Sequence, residues 1–382
     1  MNKKQLKGIV SVGTKFHAYY TAQSLLKCDK LKTLICGRKH KCNLPSEKVI
    51  NISIPQYLGI GIRKIKILNR LFNYNIISDL LFDKLAVRKL AVRKLHNVDF
   101  FIGFNNYILY QFKYLKDKNV KMFLDQRTAH GNYEKEIGLL EYGKVPKNLS
   151  KKMLKRKEDE IEMADYILVP SKFVYQTMVE NNVEKEKLIL LPYGYNENLF
   201  YNKNIRSRKE TLNLIFVGSI CHRKGCKYLL EAYSELRKEI DITLTMVGNI
   251  EPEFEKVFNN YRSIIEYKGY VNNEKLVELY NKADIFIFPS LCEGSALVTY
   301  EALACGLPLI VTYNTGSVIE DGKEGYVIQP RSIDEIKKSI IKMYNDRDLV
   351  DKMSQQALKT VKDFTWDKYA EKLNNIIKKC CD

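Results

Sequence analysis

The 382-residue sequence predicts an α/β protein made of two Rossmann-like domains whose parallel sheets face a central cleft. Three observations carry this. Short apolar runs alternate with helical stretches, most regularly beyond residue 210. The runs are apolar throughout rather than every second residue, as in strands covered on both faces by crossover helices. The alternation also occurs twice, separated by the polar stretch Asn196–Thr211, which contains NKNIRSRKE and reads as a linker.

In the second half, LNLIFVG (212–218) is a strand leading into a helical pattern through Lys224–Glu239. ITLTMVG (242–248) is the next strand, with a helix near Glu253–Tyr261. IIEYKGYV (264–271) is short and β-like, and Asn273–Lys282 is helical. DIFIFPS (284–290) is a strand ended by Pro289. A helix near Ser295–Ala304, the strand LPLIVT (307–312) and a helix near Ile333–Tyr344 follow. In the first half GIVSVG (8–13) runs into a helix ending near Leu26, and LKTLICG (31–37) is a second strand. VDFFIGF (98–104), VKMFLDQ (120–126), ADYILVPS (164–171) and LILLPYGYN (188–196) complete it. The boundaries are set at 1–198 for the first Rossmann-like domain, 199–364 for the second, and 365–382 for a C-terminal helix returning toward the first. Open parallel sheets bind ligands beyond the carboxyl ends of their strands, so the residues just after each strand hold the chemistry.

The net charge of +18 is unevenly placed. Residues 1–100 contain 20 basic and 5 acidic side chains, whereas the remainder is near balance. Within that basic region, at about 100° per residue, Arg63, Lys66 and Arg70 share one arc of a helix and Ile62, Ile65 and Phe72 the other. Two readings stand: a core-packing helix with a solvated basic face, or a helix lying on an anionic membrane surface. The repeat LAVRK at 85–89 and 90–94 spreads its basic pairs around a helix and reads as a short duplication. No run approaches the roughly 18–20 apolar residues of a membrane span, and Gly8–Val12 is too short for a signal peptide. Nine scattered cysteines without structural-zinc spacing read as reduced thiols of a cytoplasmic chain. The basic surplus raises nucleic-acid binding as a rival, but no RNA-binding or helix-turn-helix pattern accompanies it, and no nucleic-acid partner is expected. A dinucleotide-dependent dehydrogenase lacks its GxGxxG, since Gly13 stands alone.

Two loops after strands stand out. In Val217–Gly225 a strand enters a turn bearing Arg223 and Lys224, residues suited to a diphosphate; an exposed strand–helix turn would read the same. In Pro289–Ala296 a strand ends, Glu293–Gly294 turns, and a helix begins whose first N–H groups can hold an anion. Glu293 and Glu301 beside such a site need hydroxyl donors, as sugars provide, unless Glu293 only caps the helix and Glu301 is solvated.

Glu293 and Glu301, with seven residues between them in EGSALVTYEALACGLPLIVT, resemble the E-x7-E signature of family 4 glycosyltransferases. FVGSICHRKGCKYLLEAY, GSVIEDGKEGYVI, a closing FTWDKYAEKL, and the earlier LDQRTAHGNYEKEI, ADYILVPSKFV and LLPYGYNENLF extend the resemblance over most of 8–375. It implies the two-domain GT-B fold, a nucleotide-sugar donor (UDP- or GDP-sugar), hexosyl transfer with retention of anomeric configuration, and no bound metal. Glu301 would hold the ribose hydroxyls and Glu293 those of the donor sugar. Backbone groups of Gly294, Ser295 and Ala296 would meet sugar or phosphate. Lys224 would neutralise the diphosphate in the loop opened by Gly218. His130 would lie near the reacting sugar, and Gly13 near phosphate and acceptor. The arginine common after the loop glycine is Ser219 here, with Arg223 four residues on as the candidate substitute. His17 reads as a packing residue, and Asp346-Arg347-Asp348 as surface. Lys224, His130 and Glu293 are thus the catalytic expectations. Acceptors of this class are glycans or lipid-linked saccharides of cell-surface polysaccharide or glycolipid synthesis, reached at the cytoplasmic membrane face through the basic domain. Other enzymes on the same fold, a nucleotide-sugar epimerase or a glucan synthase, are the near alternatives, and E-x7-E favours transfer over epimerisation.

Overall fold

The computed structural model describes residues 5–14, 16–38, 44–64, 74–204 and 210–381. The first sheet holds β1 (Gly8–Val12), β2 (Leu31–Cys36), β3 (Val49–Asn51), β4 (Phe100–Phe104), β5 (Lys121–Asp125), β6 (Tyr166–Val169) and β7 (Leu188–Leu190). They lie in the order β3-β2-β1-β4-β5-β6-β7, with every pairing parallel. The second sheet holds β8 (Leu212–Val217), β9 (Ile242–Val247), β10 (Glu266–Gly269), β11 (Ile285–Phe288), β12 (Leu309–Thr312) and β13 (Gly325–Ile328), in the order β10-β9-β8-β11-β12-β13, again parallel. Two Rossmann-like sheets are therefore present, as the alternation of runs predicts.

The apolar runs explain both cores. β1, β4 and β11 are buried at every position, which requires helices on both faces. In each sheet the strand order reverses once, between β1 and β4 and between β8 and β11. At such a reversal the loops leaving neighbouring strands diverge and open a crevice. The loops after β1, β8 and β11 contribute to the cleft described below.

Several details depart from the expected element bounds. The helix expected from Lys224 begins at Cys226, after a 3-10 turn at His222–Lys224. The helix expected from Ser295 begins at Leu297. β3, β13 and the helix Arg347–Thr360 carry too short or too mixed a pattern to be read from sequence; Asp346, expected at the surface, caps that helix by accepting from the Leu349 N–H.

The last helix, Trp366–Cys381, crosses back to the first domain. Trp366 stacks on Tyr20 with ring centroids 3.9 Å apart, and the Tyr369 and Thr21 hydroxyls are 3.0 Å apart. Tyr369, Leu373 and Ile377 are buried in the first domain's core. The basic amphipathic stretch is reached only in part: the helix Ile54–Lys64 is present, but the side chains of 61–64 and all of 65–73 lie outside the described residues. Among the described residues no helix is long and apolar enough to cross a membrane.

Candidate functional site

The second domain's half of the site starts where β8 ends. The chain turns at Gly218, and Gly225 lets the Arg223–Lys224 turn close against the loop after β11. Gly225 has φ +69°, and a Cβ there would stand 2.0 Å from the Pro289 carbonyl oxygen, so only glycine fits. This contact delivers both cations to one carboxylate. Lys224 Nζ and Arg223 Nη1 each lie 2.5 Å from Glu293 Oε1. The Ser290 hydroxyl donates to the same oxygen at 3.1 Å, and Arg223 Nη1 also donates to the Cys292 carbonyl at 2.7 Å. Burial alone would raise the Glu293 carboxyl, but Arg223 and then Lys224 outweigh it and hold it below the ordinary range. Burial lowers the Lys224 ammonium, an effect that Glu293 opposes. Glu293 pushes the Arg223 guanidinium further up.

The loop from Cys292 to Ala296 is fixed from several sides. A Cβ on Gly294 would fall 1.6 Å from the Arg127 carbonyl oxygen, so glycine permits the two domains to touch backbone to backbone here. The Ser171 hydroxyl donates to the Gly294 carbonyl at 2.5 Å. Ser295 Oγ bonds the Gly316 carbonyl and the Tyr300 hydroxyl, each at 2.8 Å. The Ala296 N–H donates to the Thr315 carbonyl at 3.2 Å, so this amide is not one of the backbone groups left for sugar or phosphate. Glu301 sits in the helix Leu297–Ala304 with the Tyr280 hydroxyl 3.4 Å from its Oε2. Burial pushes its carboxyl up to about 7.

The first domain supplies the opposite wall. Phe16, His17, Arg127, Thr128 and Tyr193 face Gly218, Lys224 and the Glu293 loop around a cavity of about 510 Å³. His17 Nε2 lies 2.8 Å from Asp125 Oδ2, and both side chains are nearly buried. The ring is held against Tyr193 and Phe104, with centroids 4.2 and 4.9 Å away. His17 is therefore not only a packing residue, since it reaches the cleft with a carboxylate behind it. Arg127 donates from Nε and Nη2 to the side-chain and backbone oxygens of Asn105, at 2.9 and 3.1 Å, and stacks 3.6 Å over the Phe16 ring.

The structure thus gathers Gly218, Arg223, Lys224, Glu293, Gly294, Ser295 and Ala296 at one cavity. Gly13, Ser219, His130 and Glu301 are not in its lining. Gly13 is occupied by packing: its carbonyl accepts from the Gln56 amide at 2.9 Å, and a Cβ would strike Tyr107. Ser219 is exposed. His130 requires a correction. It caps the helix Gly131–Tyr142, accepting from the Asn132 N–H through Nδ1 at 3.3 Å, with Nε2 3.3 Å from Glu158 and the side chain 1% exposed. Burial lowers its pKa, opposed by Glu158. Its ring belongs to the first domain's interior, and the residue of that loop which reaches the cleft is Arg127. Cys221 and Cys226 are buried, and the His222 ring packs edge-on against Tyr142 and Phe254, so this trio serves the turn's packing.

Residues 198–360 match the sequence profile of the family described as Glycosyl transferases group 1. The alpha-monoglucosyldiacylglycerol synthase of Acholeplasma laidlawii is 24% identical over 310 residues, 76% of this chain and 77% of that one. The chain spans about half the length of other curated relatives it matches. Among solved structures, sucrose-phosphate synthase of Thermosynechococcus elongatus superposes with a TM-score of 0.69 at 16% identity, covering 98% of this chain and 99% of that one. HepE of Anabaena, in complex with UDP and glucose, gives 0.65 at 12% identity with the same coverage. At these identities the structural likeness is one of fold. Residues 198–360 therefore form a domain of the group 1 glycosyltransferase family, carried in a chain with the GT-B fold.

Proposed function

We propose that the chain transfers a hexosyl group from a nucleotide-sugar to a glycan or lipid-linked saccharide, with retention of configuration at the anomeric carbon. The observation that carries this reading is the Arg223–Lys224–Glu293 cluster opening on a cavity between two Rossmann-like domains. A leaving diphosphate gains charge as its bond to the anomeric carbon breaks, and preorganised cations stabilise it most. Lys224 and Arg223 fill that role, so turnover is expected without added metal. Glu293 would then exchange part of its hold on the cations for hydroxyls of the donor sugar, and Glu301 would take the ribose.

In the reaction the electron pair of the anomeric C–O bond leaves with the diphosphate. The acceptor oxygen bonds the same face of that carbon, and its proton passes to the departing phosphate oxygen. His17, oriented by Asp125, takes the place expected for His130: it offers a ring nitrogen to a hydroxyl of a bound sugar. Because a carboxylate only accepts, Asp125 fixes a hydrogen on Nε2 and sets the orientation of the ring.

The donor is a UDP- or GDP-sugar, and the UDP complex of a protein with the same fold makes UDP the first to test. A lipid-linked acceptor at the cytoplasmic membrane face is supported by exposed Ile54, Tyr57 and Leu58 on the helix Ile54–Lys64, within a region of strongly positive charge. Within the first domain Gln56 on that helix donates to the carbonyl of Gly13, just after β1. A relative named as a diacylglycerol glycolipid synthase points the same way. The test is release of nucleoside diphosphate from UDP- and GDP-sugars in chelator, with and without a lipid extract as acceptor source. Release from one donor class, dependent on Lys224, supports the reading, and no release from any donor contradicts it.

A further inference from the structure

The two cations of the second domain are shared with Glu293, so together the three side chains contribute one net positive charge to the cavity. A nucleotide-sugar diphosphate carries two negative charges. Another cation is needed, and the first domain presents one. Arg127 lines the same cavity, from the loop after β5.

Three features prepare Arg127 for a phosphate. Asn105 holds Nε and Nη2, which fixes the guanidinium plane, and the buried Tyr107 hydroxyl also takes a hydrogen bond from this side chain. The Phe16 ring supports one face at 3.6 Å, with Tyr107 5.6 Å from the guanidinium carbon. An immobilised planar fork matches phosphate oxygens in a way a flexible ammonium does not. Its position is also set from across the cleft, because its own carbonyl packs on Gly294, beside Glu293. Asp79 acts on Arg127 electrostatically, and burial pushes that carboxyl up to about 7, so it offsets only part of the arginine's charge at neutral pH.

We propose that Arg127 is a diphosphate ligand supplied by the acceptor domain, meeting the phosphate next to the sugar and completing the charge balance begun by Lys224 and Arg223. This rests on the donor-cleft reading above. It makes the diphosphate a bridge between the domains, so donor binding itself favours their approach. The phosphate next to the sugar is singled out because Arg127 borders Gly294 and Glu293, the side assigned to the sugar.

Titration calorimetry on the full chain tests this with UDP, GDP, UMP and inorganic pyrophosphate as probes. Arg127→Gln is expected to weaken pyrophosphate and the preferred nucleoside diphosphate by about tenfold or more, the loss of one charge-assisted bond. UMP affinity should change by less than about threefold, since UMP lacks that phosphate. Arg127→Lys, which keeps the charge and loses the fork, should fall between and guards against a folding artefact. Undiminished diphosphate binding by Arg127→Gln, with transfer alone impaired, would overturn the proposal and assign Arg127 to the acceptor. Equal losses for UMP and pyrophosphate in both variants would also overturn it, as general damage to the cleft. If the unmodified protein binds none of UDP, GDP and pyrophosphate, the donor-cleft reading fails instead.

Discussion

Lys224 Nζ and Glu293 Oε1 lie 2.5 Å apart, joining the loop after β8 to the loop after β11 at the reversal point of the second sheet. The pair is well shielded; removing Glu293 leaves Lys224 without its counter-charge, whereas removing Lys224 leaves Glu293 held by Arg223. On the proposed reading a diphosphate takes over part of this pairing before Glu293 turns to the donor sugar.

Removing the ammonium tests the electrostatic part. Lys224→Ala should lower kcat about a hundredfold or more while the chain stays folded, the loss expected for one preorganised contact to developing charge. Single-turnover rates and circular dichroism check this, and near-normal turnover would refute the role.

Removing the carboxylate should act oppositely on binding. Glu293→Gln frees Arg223 and Lys224 from their counter-charge, so pyrophosphate should bind no more weakly than to the unmodified protein while transfer falls sharply. Calorimetry beside turnover separates the two effects. A parallel loss of both would mean that Glu293 only organises the loop.

The two histidines are expected to part company. His17→Ala should depress transfer more than donor binding, and Asp125→Asn should follow it in the same direction. His130→Ala should leave turnover near normal and cost about 1 kcal/mol of stability, the usual worth of a helix cap. Equal kinetic losses at both positions would remove the distinction between a histidine lining the cavity and one capping a helix.

Glu301 gives a pH dependence with a definite sign. Burial raises its carboxyl from 4.5 to about 7, so between those values the folded chain binds more protons than the unfolded one. Stability from this group is present below the lower value and lost as pH rises through the upper. Relative to the unmodified protein, Glu301→Gln should therefore gain in melting temperature from about pH 5 to about pH 8. Melting curves that stay parallel across that range would contradict this. If Glu301 also holds the ribose, the substitution should weaken UDP and spare pyrophosphate.

Much of this fold was legible because its strands are buried runs. LNLIFV and IFIF read as strands from composition alone, and the positions after them point to Lys224, Arg223 and Glu293. Short or mixed elements were not legible: β3 has three residues and β13 begins at a glycine. The second half of the site was harder for a different reason. Local pattern locates a residue along its strand but not the direction of its side chain beyond the strand end. His130 and Arg127 are three residues apart in one loop, and helix capping turns the first inward while Asn105 and Phe16 turn the second into the cleft. The His17–Asp125 contact joins residues 108 apart. Its one sequence signal was that both follow or end a strand pointing at the cleft.

The donor cleft is tested most directly by thermal-shift screening of the full chain against UDP, GDP and ADP and their common sugars in chelator, beside the Lys224→Ala variant. A selective rise in melting temperature for one nucleoside diphosphate and its sugar, absent in the variant, is the result expected. No rise with any nucleotide, together with a rise on adding RNA, would contradict the donor cleft and return the basic first domain to nucleic-acid binding.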